Sequence, residues 1–563
     1  MTPDDRTPPH GLLLDRRPVQ VRRDDTTRYL CAAAHLDPAF GDGAIREFLV
    51  EPTRPVSASP GVDAAAVLAE AVAARTRRKL RDLAVVLLLA GLVFLVAIDL
   101  LVVWTVLAVL LSLPAIVAAA KKHSSSTVTA YLLTAVVVVA LLLYAGPQVI
   151  AELTDSTDRT GESGSDTSVV GAVLVVVLLL TVLAADRFVV WRHLATRFWP
   201  NRLTRVEPWL RDRPVFQFSP DRRLTGLRRY AEPRPTVAGP AGHGAPVPLV
   251  VYRGFVPFVG AGDPEDPWSI AVPLENLPDT PVTGELTTAA LYAGINEEIT
   301  SLRGARTLSP GRRLGELGIG EQVIVSADEL IDHLAEPAAA DFLTEPGVAP
   351  FTMLRRERAD AIRDDPLEWA RYYQCYQIET WDRDLVVTVF VHVAVGEGAL
   401  YVEWTPCVLR PIRKKYRRID AMSRSPLRPA ARALLDLLAL PASVPGRLVH
   451  LLSFLRPLSR DQGVVDPGMY GSATSLREMA ADRDVHNYFQ LADVDRYVKM
   501  LEGRLIRAVS RMMRTAGYSP ASFDAQAAAV VNNNVQIAGS VGGSVVVGSD
   551  NKVGDTAAPR SPE

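Results

Sequence analysis

Apolar residues are concentrated in one part of the chain. Residues 83–120, LAVVLLLAGLVFLVAIDLLVVWTVLAVLLSLPAIVAAA, carry one charge, Asp99. As a helix rising 1.5 Å per residue this run would be about 57 Å long, nearly twice a hydrocarbon core of about 30 Å. A carboxylate is costly at mid-bilayer and tolerated at an interface, so the pattern predicts two crossings with a turn near Asp99. A third run covers about 128–144 and is ended by Gly146 and Pro147, and a fourth covers 169–185. The expected fold is a membrane α-helical region, four transmembrane helices in two hairpins over 83–185, with an extracytoplasmic loop at 147–167.

Beyond the apolar runs the periodicity changes. Residues 370–409 alternate with period two through ARYYQCYQIETW, LVVTVFVHVAV and ALYVEWTPCVL, separated by DRD and GEG, which predicts a three-stranded antiparallel meander. Shorter strand signals lie at 246–252, 267–274 and 322–326, with a helix over 287–302 and another opened by Asp328. Residues 243–412 are therefore expected to be a cytoplasmic α+β domain with an antiparallel sheet. Helical stretches are expected near 430–440 and 446–455. Over 493–516, Val494, Val498, Leu501, Leu505, Val509 and Met512 recur at helical spacing, with Asp493 as N-cap and Gly517 as stop.

The remaining segments follow from composition. Residues 1–28, rich in Pro, Asp and Arg, are expected to be disordered. Residues 29–82 read as a helical juxtamembrane cap, with short helices near 29–36 and 44–50 and a longer one capped by Asp63. Residues 186–242 read as a basic, aromatic interfacial segment and linker, 413–523 as a helical region, and 524–563 as a Gly/Val/Asn-rich, β-prone tail.

Charge orients the helices. Arg75, Arg77, Arg78, Lys79 and Arg81 precede the first crossing, Lys121 and Lys122 follow the second, and Arg187, Arg192 and Arg197 follow the fourth. The positive-inside rule puts these on one side, with both termini cytoplasmic in a multi-pass inner-membrane protein. Arg187, Trp191, Arg192, Arg197 and Trp199 are the expected contacts with anionic lipid headgroups. The net charge is −2 and the mean hydropathy +0.13, which gives no global basic field, so nucleic acid is not an expected partner. The three cysteines, Cys31, Cys375 and Cys407, lack CxxC spacing and read as reduced thiols.

Chemical signatures are few. GxxxxGK[ST], HExxH and GxSxG are all absent from the sequence, and no cofactor is implied. One loop, FVGAGDPEDPWS, offers a ligand or metal site: Gly260 and Gly262 would let a phosphate approach the backbone, and Asp263, Glu265 and Asp266 supply hard oxygen ligands. Carboxylates repel phosphate, so the two halves conflict unless a metal intervenes. Of the nine histidines, His392, on a predicted strand, is the one expected to be structured beside other polar groups.

Two resemblances add expectations. In architecture, and in YRGFVPFVGAG (252–262) and NYFQLADVDRYVKMLEGRL (487–505), the chain resembles uncharacterised multi-pass membrane proteins of high-GC Gram-positive bacteria, a likeness that implies no activity. The uncharged stretch at 525–549 resembles RHIM-type amyloid-signalling motifs through Val535-Gln536-Ile537 and through Val545-Val546-Val547-Gly548 followed by Asn551, with Ala538 in the Gly place of the first. That resemblance implies self-association through Val535, Gln536, Ile537, Val545, Val547, Gly548 and Asn551.

These features together give a membrane-anchored scaffold or signalling component. Its cytoplasmic domain is expected to bind a protein partner or ligand, and the protein to form a homo-oligomer. The alternatives are a membrane-bound enzyme or ligand sensor using the 260–269 loop, which would bring Asp263 and Asp266 together with His392, and a transporter or channel component.

Overall fold

The computed structural model describes residues 25–93, 165–199, 245–278, 286–453 and 467–533, apart from 52, 58, 346 and 423–424, together with 13–15 and the single positions 104, 105, 108 and 224. Asp99, the second expected crossing apart from those positions, the third, and the tail from 534 lie outside the described residues.

The chain begins with α1 (Thr26–Leu36) and α2 (Pro38–Ile45), followed by one π-helical turn, Arg46–Val50. The second helix starts six residues before the expected 44 because Asp37 accepts hydrogen bonds from the Ala39 and Phe40 amides and Pro38 occupies the first turn. Helix α3 (Ala64–Val93) starts where expected, with Asp63 Oδ1 accepting from the Ala66 amide at 3.0 Å. Helix α4 (Ser165–Arg197) runs twelve residues past the apolar run that predicted it. The two pack through Val85, Leu92, Leu179 and Leu183.

Among the described residues, one helix segment, Gly171–Arg197 within α4, is long and apolar enough to cross a membrane, and only 11% of its apolar window is buried. Val173, Leu174, Val177 and Leu178 face outward.

The second part is an α+β unit around a nine-stranded mixed sheet. Its strands are β1 (Leu13–Asp15), β2 (Val247–Tyr252), β3 (Asp263–Pro264), β4 (Trp268–Pro273), β5 (Gly318–Ser326), β6 (Met353–Leu354), β7 (Ala370–Thr380), β8 (Leu385–Gly396) and β9 (Ala399–Leu409). The main path is β3-β9-β8-β7-β5-β2-β6, with β1 beside β5 and β4 beside β9. The expected meander is β7-β8-β9, and its second turn is Glu397-Gly398, both with positive φ, as a tight two-residue hairpin requires. The sheet is not wholly antiparallel: β2 and β5 run parallel, joined through α5 (Thr288–Thr300), with α6 (Ala327–Asp332) and α7 (Arg356–Asp364) following β5.

After the sheet come α8 (Lys414–Arg417), α9 (Leu427–Leu438), α10 (Leu440–Leu452), α11 (Tyr488–Ala516) and α12 (Ala521–Asn533). Helix α11 lays Leu501, Leu505, Val509 and Met513 on one sheet face beside Ile295 and Ile299 of α5, so residues beyond 413 share the core of the α+β unit. It starts five residues before the expected Asp493. Asn487 is the N-cap, accepting from the Gln490 amide, whereas Asp493 is buried and accepts from Trp381 Nε1. Gly517, at φ 93°, ends it as expected. Residues 525–533, expected to begin the β-prone tail, are helical in α12, where Phe523 and Ala527 reach the same core.

The opposite sheet face is covered by the 253–262 loop, whose Phe258 and Ala261 pack on Tyr373, Cys375, Phe390 and Cys407. Gly262, at φ 91°, lies so close to β9 that a Cβ there would fall 2.2 Å from the Val408 carbonyl oxygen. All three cysteines are free and buried.

Helices α9 and α10 meet at 89° and fold onto α3 and α4 through Ala433, Leu437 and Leu440. Helices α1 and α2 lie between the apolar helices and the α+β unit, where Leu30, Phe40, Phe48 and Val67 join Ile412, Tyr416 and Leu476 in a second core.

Candidate functional site

Where α3 and α4 leave their apolar segments, the basic flanks of both helices converge with the 415–422 segment and α9 around a cavity of about 850 Å³. Eight cations line it, Arg77, Arg78, Arg81, Arg187, Lys415, Arg418, Arg428 and Arg432, against two carboxylates, Asp37 and Asp186. Arg77 and Arg81 both hold Asp186, Arg78 holds Asp42 at 3.1 Å, and Lys415 holds Asp37. Arg187 is bidentate on Asp436 of α9, at 2.6 and 3.0 Å. Arg418, Arg428 and Arg432 have no carboxylate partner among the described residues, so the excess of positive charge is concentrated on the 418–432 side.

Burial pushes the Arg77 and Arg78 guanidinium groups below their ordinary range, and the nearby carboxylates offset this only in part. The Nε atoms of both are buried without a hydrogen-bond partner. An anion in the cavity would offset the burial of the two charges.

The outward face of the bent α9–α10 pair is apolar: Leu427, Leu434, Leu435, Val449 and Leu452 are each more than half exposed. The pair is tied to α3 by polar contacts. Asp82 accepts from Arg447 at 2.6 Å and pairs with His450 at 2.8 Å, and Lys79 Nζ donates to the Ser453 carbonyl at 2.8 Å. The cavity therefore opens beside apolar surface, not within the α+β unit.

The predicted lipid contacts divide at this place. Arg187 and Trp191 line the cavity, Arg192 and the partly exposed Arg197 lie further along α4, and the partly exposed Trp199 follows its end. The predicted ligand loop is elsewhere, and its groups are met from within the chain. The amides of Gly260 and Gly262 donate to Glu478 Oε1 at 2.8 and 2.9 Å, so a carboxylate of this chain occupies the place a phosphate would take. Asp263 and Glu265 both bind Arg410. Asp263 is paired with Val408 on β9, whereas His392 is level with Glu403, five residues along that strand. At about 3.3 Å per residue the two rows lie about 17 Å apart, so Asp263 does not converge with His392. His392 is packed with Nδ1 2.9 Å from the Tyr372 carbonyl, and burial lowers its pKa. The seven tail residues named for self-association lie outside the described residues.

Residues 267–546 match the AbeC-like domain family. The match covers just under half of the chain, from β4 through α12 and into the tail, and leaves out the apolar helices and most residues lining the cavity. No curated protein and no solved structure matches the chain.

Sequence reasoning missed a second polar cluster. His392 is not alone in being structured: His35 of α1 and His193 of α4 are also buried, and both place Nε2 on Glu70 Oε2 of α3, at 2.8 and 3.0 Å. Burial pushes the His35 pKa down to about 4. Burial works to raise that of Glu70, but hydrogen bonds from the two imidazoles outweigh it and hold the carboxyl below its usual range. Glu70 is the only charge in the run AAAVLAEAVAA, and a lone acid in an Ala/Val helix was the available signal. Its partners lie 35 and 123 residues away.

Proposed function

We propose that this is an integral inner-membrane protein that binds anionic, phosphate-bearing headgroups in the cavity beneath its apolar helices and presents its α+β unit to the cytoplasm. The carrying observation is the cavity lined by eight cations and two carboxylates, opening beside the outward apolar faces of α4 and α9–α10. Apolar side chains facing outward over several turns need an apolar solvent, and a basic pocket at the base of such helices is where a headgroup sits. Helix α4 supports the fourth crossing, and the apolar end of α3 supports the first. The reading retains four crossings with both termini cytoplasmic, the α+β unit as the partner-binding part, and the tail as the means of self-association.

The test is native mass spectrometry of the detergent-purified full chain with phosphatidylglycerol, phosphatidylcholine or inorganic phosphate. Preferential retention of phosphatidylglycerol is expected, and retention of phosphate alone would identify a soluble anion as the source. Each cation beside an anionic surface contributes about 1 kcal/mol, so Arg428→Ala with Arg432→Ala should weaken the binding about tenfold to thirtyfold. Equal retention of both lipids with no phosphate bound, or an unaffected double variant, would overturn the proposal.

A further inference from the structure

The cluster where α1, α3 and α4 meet has the composition and geometry of a metal site, whether or not the neighbouring cavity takes an anion. We infer that His35, Glu70 and His193 bind one divalent transition-metal ion, with zinc the best match to the donor set. Two imidazole nitrogens and a carboxylate oxygen lie within 4.8 Å of one another on three different helices. The three side chains are 0%, 0% and 5% exposed.

A hydrogen-bonded tie between helices would need no more than the two contacts to Oε2. The cluster holds more capacity than that: Glu70 Oε1 is buried and has no hydrogen-bond partner. An enclosed carboxylate with an empty oxygen and two imidazole nitrogens directed at it has room for a cation, and a metal supplies one. Two histidines and one glutamate form an established zinc donor set with a free fourth position.

Around zinc, tetrahedral nitrogen and oxygen donors sit about 3.3 Å apart, so the present 2.8 and 3.0 Å contacts need to open by about 0.3–0.5 Å. The site would fasten α1 to the two apolar helices at the point where the α+β unit is joined to them.

The test counts zinc by elemental mass spectrometry on full-length protein in detergent, stripped with chelator and then dialysed against zinc alone. One zinc per chain is expected. Glu70→Gln, which keeps an acceptor oxygen for the imidazoles, and His193→Gln should each lower zinc affinity by more than the about 10–100-fold that outer-shell changes cost. If a variant fails to fold, the wild-type count still decides the matter. A wild-type chain that takes up no zinc overturns the inference, as does either folded variant retaining full affinity.

Discussion

Glu478 ties the 253–262 loop to the 475–480 turn, and its removal has a calculable effect. Its Oε1 accepts the Gly260 and Gly262 amides, and its Oε2 accepts the Ser475 amide at 2.7 Å. The Ser475 hydroxyl accepts the Glu478 amide in return at 3.3 Å, completing a reciprocal Ser-x-x-Glu cap. Glu478→Ala leaves three amides without that acceptor, at about 1–1.5 kcal/mol each. Burial pushes the Glu478 carboxyl above its usual range, so removing it recovers part of this loss. A net cost of about 2–3 kcal/mol remains, or about 30- to 150-fold more opening of the loop. Glu478→Gln keeps the acceptor for the glycines but sets an amide donor against the Ser475 N–H, for about tenfold.

The loop covers Cys375 and Cys407, whereas Cys31 belongs to the other core. The assay is therefore maleimide labelling of the folded chain, with modification of Cys375 and Cys407 read against Cys31 by peptide mass spectrometry. The order alanine, glutamine, parent is expected in rate. Labelling of Cys375 and Cys407 in Glu478→Ala at the parent rate would refute the argument.

Other outcomes follow from burial and charge. Glu502 is largely buried and accepts from Trp268 Nε1 at 2.7 Å, and burial raises its pKa. A raised carboxyl means the native state keeps its proton where the unfolded chain has lost it, so Glu502's contribution to stability falls as pH rises through the folded value. Glu502→Gln should thus be at least as stable as the parent at pH 7 in thermal melts, and that advantage should shrink as the pH is lowered past the native carboxyl value. Leu505 is fully buried in α11, so Leu505→Ala should cost about 2–5 kcal/mol, seen as a lower melting temperature in detergent. Leu435→Ala, at a side chain 61% exposed, should leave that temperature unchanged.

The sheet was legible where its signals are local. The period-two runs of β7, β8 and β9 and their polar turns suffice to predict a meander, and Asp63 and Gly517 mark helix ends through their own side-chain or backbone chemistry. The parallel pairing of β2 with β5 was not legible, because nothing in either short strand specifies a neighbour some seventy residues away. The start of α11 was misplaced because Asp493 and Asn487 are both good capping residues, and the choice between them depends on Trp381. Helix α12 was hidden by β-favouring composition that packing against the core overrides. For the site, the basic flanks of the apolar runs were readable one by one. That Arg77, Arg187 and Arg428 share one cavity depends on how α9 folds back onto α3 and α4.

The central claim is that the apolar faces of α4 and α9–α10 meet lipid while the cavity between them meets the headgroup layer. Single spin labels at Leu174, Leu435 and Arg418 of the full chain, reconstituted in phosphatidylglycerol-containing vesicles, test it by their collision rates with oxygen and with a water-soluble nickel chelate. The account predicts oxygen-dominated relaxation at Leu174 and Leu435, and strong chelate access at Arg418. Chelate-dominated relaxation at Leu174 and Leu435 would contradict it.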